Sequence, residues 1–282
     1  MVPIGTKYKG QSLETYVIYI ILILVALAYI IPFLWLISGS LKSNTELFAD
    51  PPVWIPSEPV WSNYATAFQQ FPFWLYFKNT LYICAMAILG GVLANTLVAY
   101  GFSRIEWKGR DALFIVVLMT MMLPFQVTMI PLFVLFQKFG WIGTFKPLVV
   151  PAFLGNAYFI FLLRQFFMGI PKELSQSAKV DGASEFRIYW QLTLPLSLPV
   201  IITVAIFAFT GAWGDFIGPL VFLSDNKLYT LSLGIQQIMS VNDPRWTLLM
   251  AVGVSMTLPV LVIFFLLQKY FIQGITFSGI KG

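Results

Sequence analysis

The 282-residue chain carries 17 lysines and arginines, 12 aspartates and glutamates, and no histidine. Without histidine it lacks the commonest general base and the commonest metal ligand. Cys84 is the one cysteine, so neither an intrachain disulfide nor a CxxC pair can form. A lone cysteine inside an apolar run reads as a small core residue. No G-x-x-x-x-G-K-[ST] loop is present to cradle nucleotide phosphates. No apolar run holds a cluster of carboxylates, or any ionisable group near its centre. The chain therefore reads as a non-enzyme that binds no metal or cofactor itself. The uncharged runs also weigh against a proton-driven carrier, which needs such groups in its spans. What remains is mechanical chemistry, concentrated in the ordered-looking stretch "IPKELSQSAKVDGASEFRIYWQLTLPLSLPV".

That stretch is read as two short helices joined by a turn. Pro171 suits the first turn of a helix, and Glu173 lies near the positive end of its dipole. Gly182 supplies a turn that a side chain would resist. Ser184 is a capping residue for a second helix, with Glu185 in its first turn. Phe186, Tyr189, Trp190 and Thr193 then recur at i, i+3, i+4 and i+7, an apolar stripe on one face. Pro195 and Pro199 mark entry into the next apolar run. An amphipathic knob of this kind suits docking into a groove on another protein, or lying flat on a membrane surface.

The elements that must hold the knob are read from charge. Only 10% of residues are charged, against about 25% in soluble domains. Uncharged runs of 27, 25, 26, 17, 27 and 23 residues separate Glu14 from Lys42, Lys78 from Arg104, Asp111 from Lys138, Lys146 from Arg164, Arg187 from Asp215, and Arg245 from Lys269. A hydrocarbon core about 30 Å thick takes roughly 20 helical residues. The runs therefore predict an all-α integral membrane protein with six transmembrane helices, near 16–37, 79–101, 112–136, 147–163, 195–214 and 246–268. The fourth is short and contains Pro147 and Pro151. The first is too long for a signal-peptide core and lacks a small-residue cleavage site, so it reads as a retained helix.

With both termini cytoplasmic, eleven basic residues fall in inside segments and six in outside segments, as the positive-inside rule requires. Net charge of +5 is thereby explained by topology, without nucleic acid. This orientation makes 1–15 and 271–282 cytoplasmic tails, 38–78 and 215–245 outside loops, and 165–194 a cytoplasmic loop that contains the knob. In the first outside loop Pro51, Pro52, Pro56 and Pro59 prevent a continuous helix. Trp54, Trp61, Phe71, Phe73 and Trp74 predict that it lies at the membrane interface. Pro124 and Pro131 should kink or break the third span, and a broken helix at membrane depth must pack on protein or line a cavity.

The knob resembles the EAA loop of ABC importer permeases, whose pattern is EAA, three residues, Gly, nine residues, then I-x-L-P. Here "QSA", Gln176 to Ala178, stands at EAA, followed by "KVD", Gly182, nine residues and "LTLP". Gln176 and Ser177 replace the usual Glu and Ala. Further stretches, "SLKSNTELFADPPVWIPSEPVWSNY", "AYGFSRIEWKGRDALF", "MMLPFQVTMIPLF", "AWGDFIGPLVFL" and the tail "GITFSGIKG", resemble the MalG-type subunit of carbohydrate-uptake permeases. The resemblance spans nearly the whole chain. It implies the type I ABC importer permease fold in a bacterial or archaeal cell membrane. It also implies a MalF-type second permease subunit, two cytoplasmic ATPase subunits that use ATP and Mg, and an extracytoplasmic sugar-binding protein. The coupling role is carried onto Gln176, Ser177, Ala178, Asp181, Gly182, Ala183, Phe186, Tyr189 and Trp190, and onto the tail residues Ser278, Gly279, Lys281 and Gly282. Gln126, Asn156, Trp213 and Asp215 are candidates for a substrate pathway. The reading from a different class is a stand-alone secondary carrier or channel for a small polar solute.

Overall fold

The computed structural model describes residues 13–239 and 245–276. Every regular element among them is helical. In hydrocarbon a backbone must satisfy its own hydrogen bonds, and short apolar segments do so as helices. In chain order the α-helices are α1 (Leu13–Ser40), α2 (Asn44–Leu47), α3 (Ser62–Gln70), α4 (Phe73–Ser103) and α5 (Arg110–Thr120). These are followed by α6 (Phe125–Lys138), α7 (Lys146–Val149), α8 (Ala157–Met168), α9 (Lys172–Val180) and α10 (Glu185–Ile188). The last are α11 (Leu194–Leu196), α12 (Leu198–Gly214), α13 (Ile217–Phe222), α14 (Leu231–Met239) and α15 (Trp246–Thr276). Among the described residues four helical stretches are long and apolar enough to cross a membrane: 13–40, 73–103, 146–168 and 246–270. Six are reached when two bent pairs each count as one crossing.

Both bends fall where proline chemistry predicts a discontinuity. The α5–α6 pair turns by 95° at residues 121–124, where Pro124 is extended (φ −67°, ψ 145°) and caps α6. Pro131, expected to kink the same run, lies within α6 without ending it. The second bend, 79°, separates the α10–α11 arm from α12 at Ser197. The fourth run is also segmented. Pro147 sits at the start of α7 and Pro151 at the start of a 3₁₀ turn (Val150–Leu154). Gly155 then turns the chain into α8 with φ +97°.

The chain divides into two compact units, Met1–Gln70 with Asn242–Ser255, and Phe71–Val241 with Met256–Gly282. In the first, α1 rises about 42 Å at 1.5 Å per residue, longer than the hydrocarbon core. Its apolar side chains are mostly exposed, as suits a lipid-facing helix. The segment after it is tied down. The Lys42 ammonium is buried, sits 4.1 Å from the Trp35 ring centre and donates to the Val53 carbonyl. Asn63 donates to the carbonyls of Ser40 (2.9 Å) and Lys42 (2.8 Å). The Glu46 carboxylate accepts the Ser57 N–H at 2.7 Å, and this bond holds its pKa below the usual glutamate value. Trp54 and Trp61 are exposed.

In the second unit α4 is the central post. Tyr76, Thr80, Ile83, Asn95, Ala99 and Tyr100 are buried along it, and α8 and α12 pack against it. Leu163, Phe167, Val200 and Val204 complete a core with Ala99. A Cβ on Gly90 would meet the Phe153 ring at 2.7 Å, so helix α4 and the 3₁₀ turn approach at glycine distance. Phe71 and Phe73, expected at the interface, are only 3% and 4% exposed, whereas Trp74 is 65% exposed. The reason is that Phe71 packs edge-on against Tyr76 inside the unit, centroids 5.1 Å apart.

Candidate functional site

The knob runs from α9 through the Gly182 turn into the α10–α11 arm. Pro171 lies one residue before α9, in extended geometry, and Glu173 is in the first turn. At the far end the Gly182 N–H donates to the Lys179 carbonyl (3.0 Å) and the Ala183 N–H to the Ala178 carbonyl (2.9 Å). This pair of bonds is a Schellman termination, which needs a left-handed residue at its turn. Gly182 provides it with φ +78°. The Ser184 hydroxyl then caps α10 by accepting the Arg187 N–H at 3.3 Å. Each feature is local in sequence, which is why the helix–turn–helix was legible there.

The seat of the knob lies on the last turns of α4. Thr96, Tyr100 and Arg104, spaced i, i+4 and i+8, all reach it. The Thr96 and Tyr189 hydroxyls are 2.8 Å apart. The Tyr100 hydroxyl donates to a Glu185 carboxylate oxygen at 2.8 Å, and the other oxygen pairs with Lys179 at 2.5 Å. Arg104 donates to the carbonyls of Phe167 (3.3 Å), Ile170 (2.7 Å) and Pro171 (3.3 Å), and to the Ser175 hydroxyl (2.6 Å). One guanidinium thus joins the end of α8 to the start of α9. Sequence reasoning missed Arg104 as a positioning residue. Its only signal was a basic residue closing a long uncharged run, which also fits topology alone.

The knob residues divide into two groups. Gln176, Ser177, Asp181 and Gly182 are exposed, and Ala178 and Ala183 are half-buried. Phe186 and Trp190 are 68% and 57% exposed, beside Val180 at 88%. Tyr189 corrects the expected stripe, because it is 5% exposed and its ring packs on Tyr100 with centroids 5.3 Å apart. Residues 189–193 form a π turn, so the face carrying Tyr189 and Thr193 points inward while Phe186 and Trp190 stay outside. Between the two helices lies a groove of about 250 Å³ lined by Ala178, Asp181, Ala183, Arg187, Ile188, Gln191 and Leu192. The tail residues Ser278, Gly279, Lys281 and Gly282 lie outside the described residues.

The pathway candidates lie on different elements: Gln126 in α6, Asn156 before α8, Trp213 in α12 and Asp215 just after it. The Asn156 side chain caps α8, accepting the N–H groups of Tyr158 (3.0 Å) and Phe159 (3.2 Å). Trp213 is 3% exposed, stacks on Phe209 and donates its indole N–H to the Met256 carbonyl at 3.1 Å. Asp215 accepts the Gly218 N–H at 3.0 Å, starting α13. The Asn156 amide oxygen, the Trp213 indole N–H and one Asp215 carboxylate oxygen are thus engaged at helix ends or in packing. Gln126 is an exposed side chain in the first turn of α6, beside the 95° bend, and Asn156 is exposed as well. Among the described residues no three His, Cys, Asp or Glu side chains form a metal-ligand group.

Residues 86–277 match the family described as binding-protein-dependent transport system inner membrane component. The chain is 30% identical to the arabinooligosaccharides transport system permease protein AraQ of Halalkalibacterium halodurans, over 98% of this chain and 100% of that protein. It is 33% identical to the galactooligosaccharides transport system permease protein GanQ of Bacillus subtilis, over 94% of each. Identity to the trehalose/maltose transport system permease protein MalG of Thermococcus litoralis is 31%, over 97% of this chain and 99% of that one. Among solved structures it resembles a chain of a bacterial ABC transporter that imports the acidic polysaccharide alginate. The TM-score is 0.83 at 22% identity, covering 94% of this chain and 100% of that chain.

Proposed function

Because the chain belongs to the family of binding-protein-dependent transport inner membrane components, we propose that it is the permease subunit of an ATP-driven carbohydrate importer. The chain forms half of the translocation pathway, and the other half comes from a MalF-type permease. Two ATPase subunits bind ATP and Mg on the cytoplasmic side, and a binding protein delivers sugar from outside. Both termini and the knob face the cytoplasm, in keeping with the eleven-to-six bias of basic residues.

The observation that carries this reading is a knob stiff at its root and apolar at its tip. Thr96, Tyr100 and Arg104 lock it to α4, while Val180, Phe186 and Trp190 stand exposed. Exposed aromatics around a groove are the usual anchors of a protein interface. A displacement of the tip passes through Glu185 and Tyr189 into α4, and through the arm into α12. These two helices pack along their length, so a push on the knob moves them as a body. Alternation between inward- and outward-facing states is the outcome of that motion. The contact rests more on shape than on charge, since Gln176 and Ser177 stand where the family pattern has an acidic start.

The test replaces Phe186 and Trp190 together by Asp in the assembled transporter. Both side chains are exposed, so folding should persist. Co-purification of the ATPase subunit and ATP-dependent sugar uptake into proteoliposomes should both be lost. Retention of both would overturn the coupling role.

A further inference from the structure

Beside the root of the knob, α4, the loop after it, α8 and α9 enclose an open cleft of about 530 Å³. At about 30 Å³ per water it has room for more than a dozen waters, or for one phosphate with its ester groups. Arg104, Arg110, Arg164, Lys172 and Lys179 line it. Only two carboxylates, Glu106 and Glu185, join them in the lining, which leaves a surplus of positive charge. Those two are taken by the lysines: Lys179 is 2.5 Å from Glu185, and Lys172 is 3.8 Å from Glu106. Arg110 and Arg164 share Asp111, each at 3.2 Å. Arg104 is different. Its hydrogen bonds run to three carbonyls and one hydroxyl, which fix the guanidinium without cancelling its charge.

The position of the cleft narrows what such a charge attracts. It opens where two membrane helices end, at Ser103 of α4 and Met168 of α8. Its wall includes Ile105 and Met168, and Met168 is 48% exposed. Trp107, on the same loop, is 42% exposed, with its indole N–H donated to the Gly101 carbonyl at 3.1 Å. A half-exposed tryptophan beside arginines at helix ends belongs at headgroup depth. Basic pockets between membrane helices are suited to anionic headgroups, and Arg104, its terminal N–H groups already given to protein oxygens, adds charge there rather than a phosphate fork.

We propose that this cleft binds the phosphodiester headgroup of an anionic phospholipid, whose acyl chains lie along Ile105, Trp107 and Met168. The shared chemistry is that of any phosphate anion. The apolar rim and the helix-end position favour the lipid over free phosphate. A lipid held there touches α4, α8 and α9 together and braces the root of the knob.

The test uses the full chain in nanodiscs of phosphatidylcholine with a minority of phosphatidylglycerol, with retained lipid read by native mass spectrometry. Wild type should retain phosphatidylglycerol in preference to phosphatidylcholine. Each basic residue near an anionic surface is worth about a fivefold change in affinity. The pair Arg110→Gln with Lys172→Gln should therefore cut that retention on the order of twentyfold. Lys172→Gln alone, at a side chain 76% exposed, should cut it about fivefold and cannot fail through misfolding. Equal retention of both lipids, or retention unchanged in the Lys172 variant, overturns the proposal. A further arm titrates inorganic phosphate into lipid-depleted detergent, following Trp107 fluorescence against a Trp107→Phe control. Saturable phosphate binding without phosphatidylglycerol retention would assign the site to a free anion. Loss of retention only when the ATPase is present would assign it to the partner protein.

Discussion

Substitution of Gly182 tests the geometry of the knob at one backbone angle. Its φ is +78°, and a Cβ added there meets no atom within 4 Å. Replacement by Ala is therefore free of steric clash, and its cost is the left-handed backbone alone, about 1–2 kcal/mol. Asn tolerates that conformation far better, so Gly182→Asn should cost clearly less than Gly182→Ala. The strain is relieved by opening the turn, which breaks the bonds from the Gly182 and Ala183 N–H groups to the Lys179 and Ala178 carbonyls. At 1.4 kcal/mol per factor of ten, exchange of the Ala183 amide should speed up roughly five- to thirtyfold in the Ala variant. Hydrogen exchange with mass spectrometry on the purified chain reads this directly. The amide of Leu163 in the core should be unaffected. Equal exchange in the Ala and Asn variants would refute the argument, because a purely steric or helical effect does not separate them.

Glu46 gives a pH prediction outside the membrane. Its carboxyl is held below the usual value by the Ser57 N–H, so the folded loop binds fewer protons than the unfolded one near that pKa. The stabilisation is complete above the ordinary glutamate range and is lost as pH falls through the depressed native value. Acid should loosen residues 44–57, read by amide exchange at Ser57 corrected for intrinsic rates, and Glu46→Gln should remove that pH dependence. Two glycines of α4 should respond oppositely to alanine. Gly90→Ala drives a Cβ to within 2.7 Å of Phe153 and 3.0 Å of the Ala152 backbone, costing roughly 1–3 kcal/mol by overpacking. Gly101→Ala meets nothing within 4 Å and should gain about 0.5–1 kcal/mol from helix propensity. Thermal unfolding in detergent should order the three as Gly101→Ala, wild type, Gly90→Ala.

Much of this protein is legible in its sequence because the controlling physics is local. Six uncharged runs must be helical in hydrocarbon, whatever their neighbours. Pro124 breaks a helix through its own ring and missing N–H. Gly182 and Ser184 shape the knob through one positive φ and one cap. The family pattern could be read for the same reason, since it is a spacing along the chain. Tertiary packing decided the rest. An i, i+3, i+4 stripe placed Phe186, Tyr189 and Trp190 on one face, but the π turn split them, and Tyr189 was drawn inward by Tyr100 and Thr96 from a helix more than 80 residues earlier. Asn156, Trp213 and Asp215 look free as letters, yet each has a polar atom engaged by a helix end or a packed neighbour. The basic cleft is the same kind of fact. Arg104 lies far from Arg164 and Lys172 in the chain and meets them because α4 and α8 end where α9 begins.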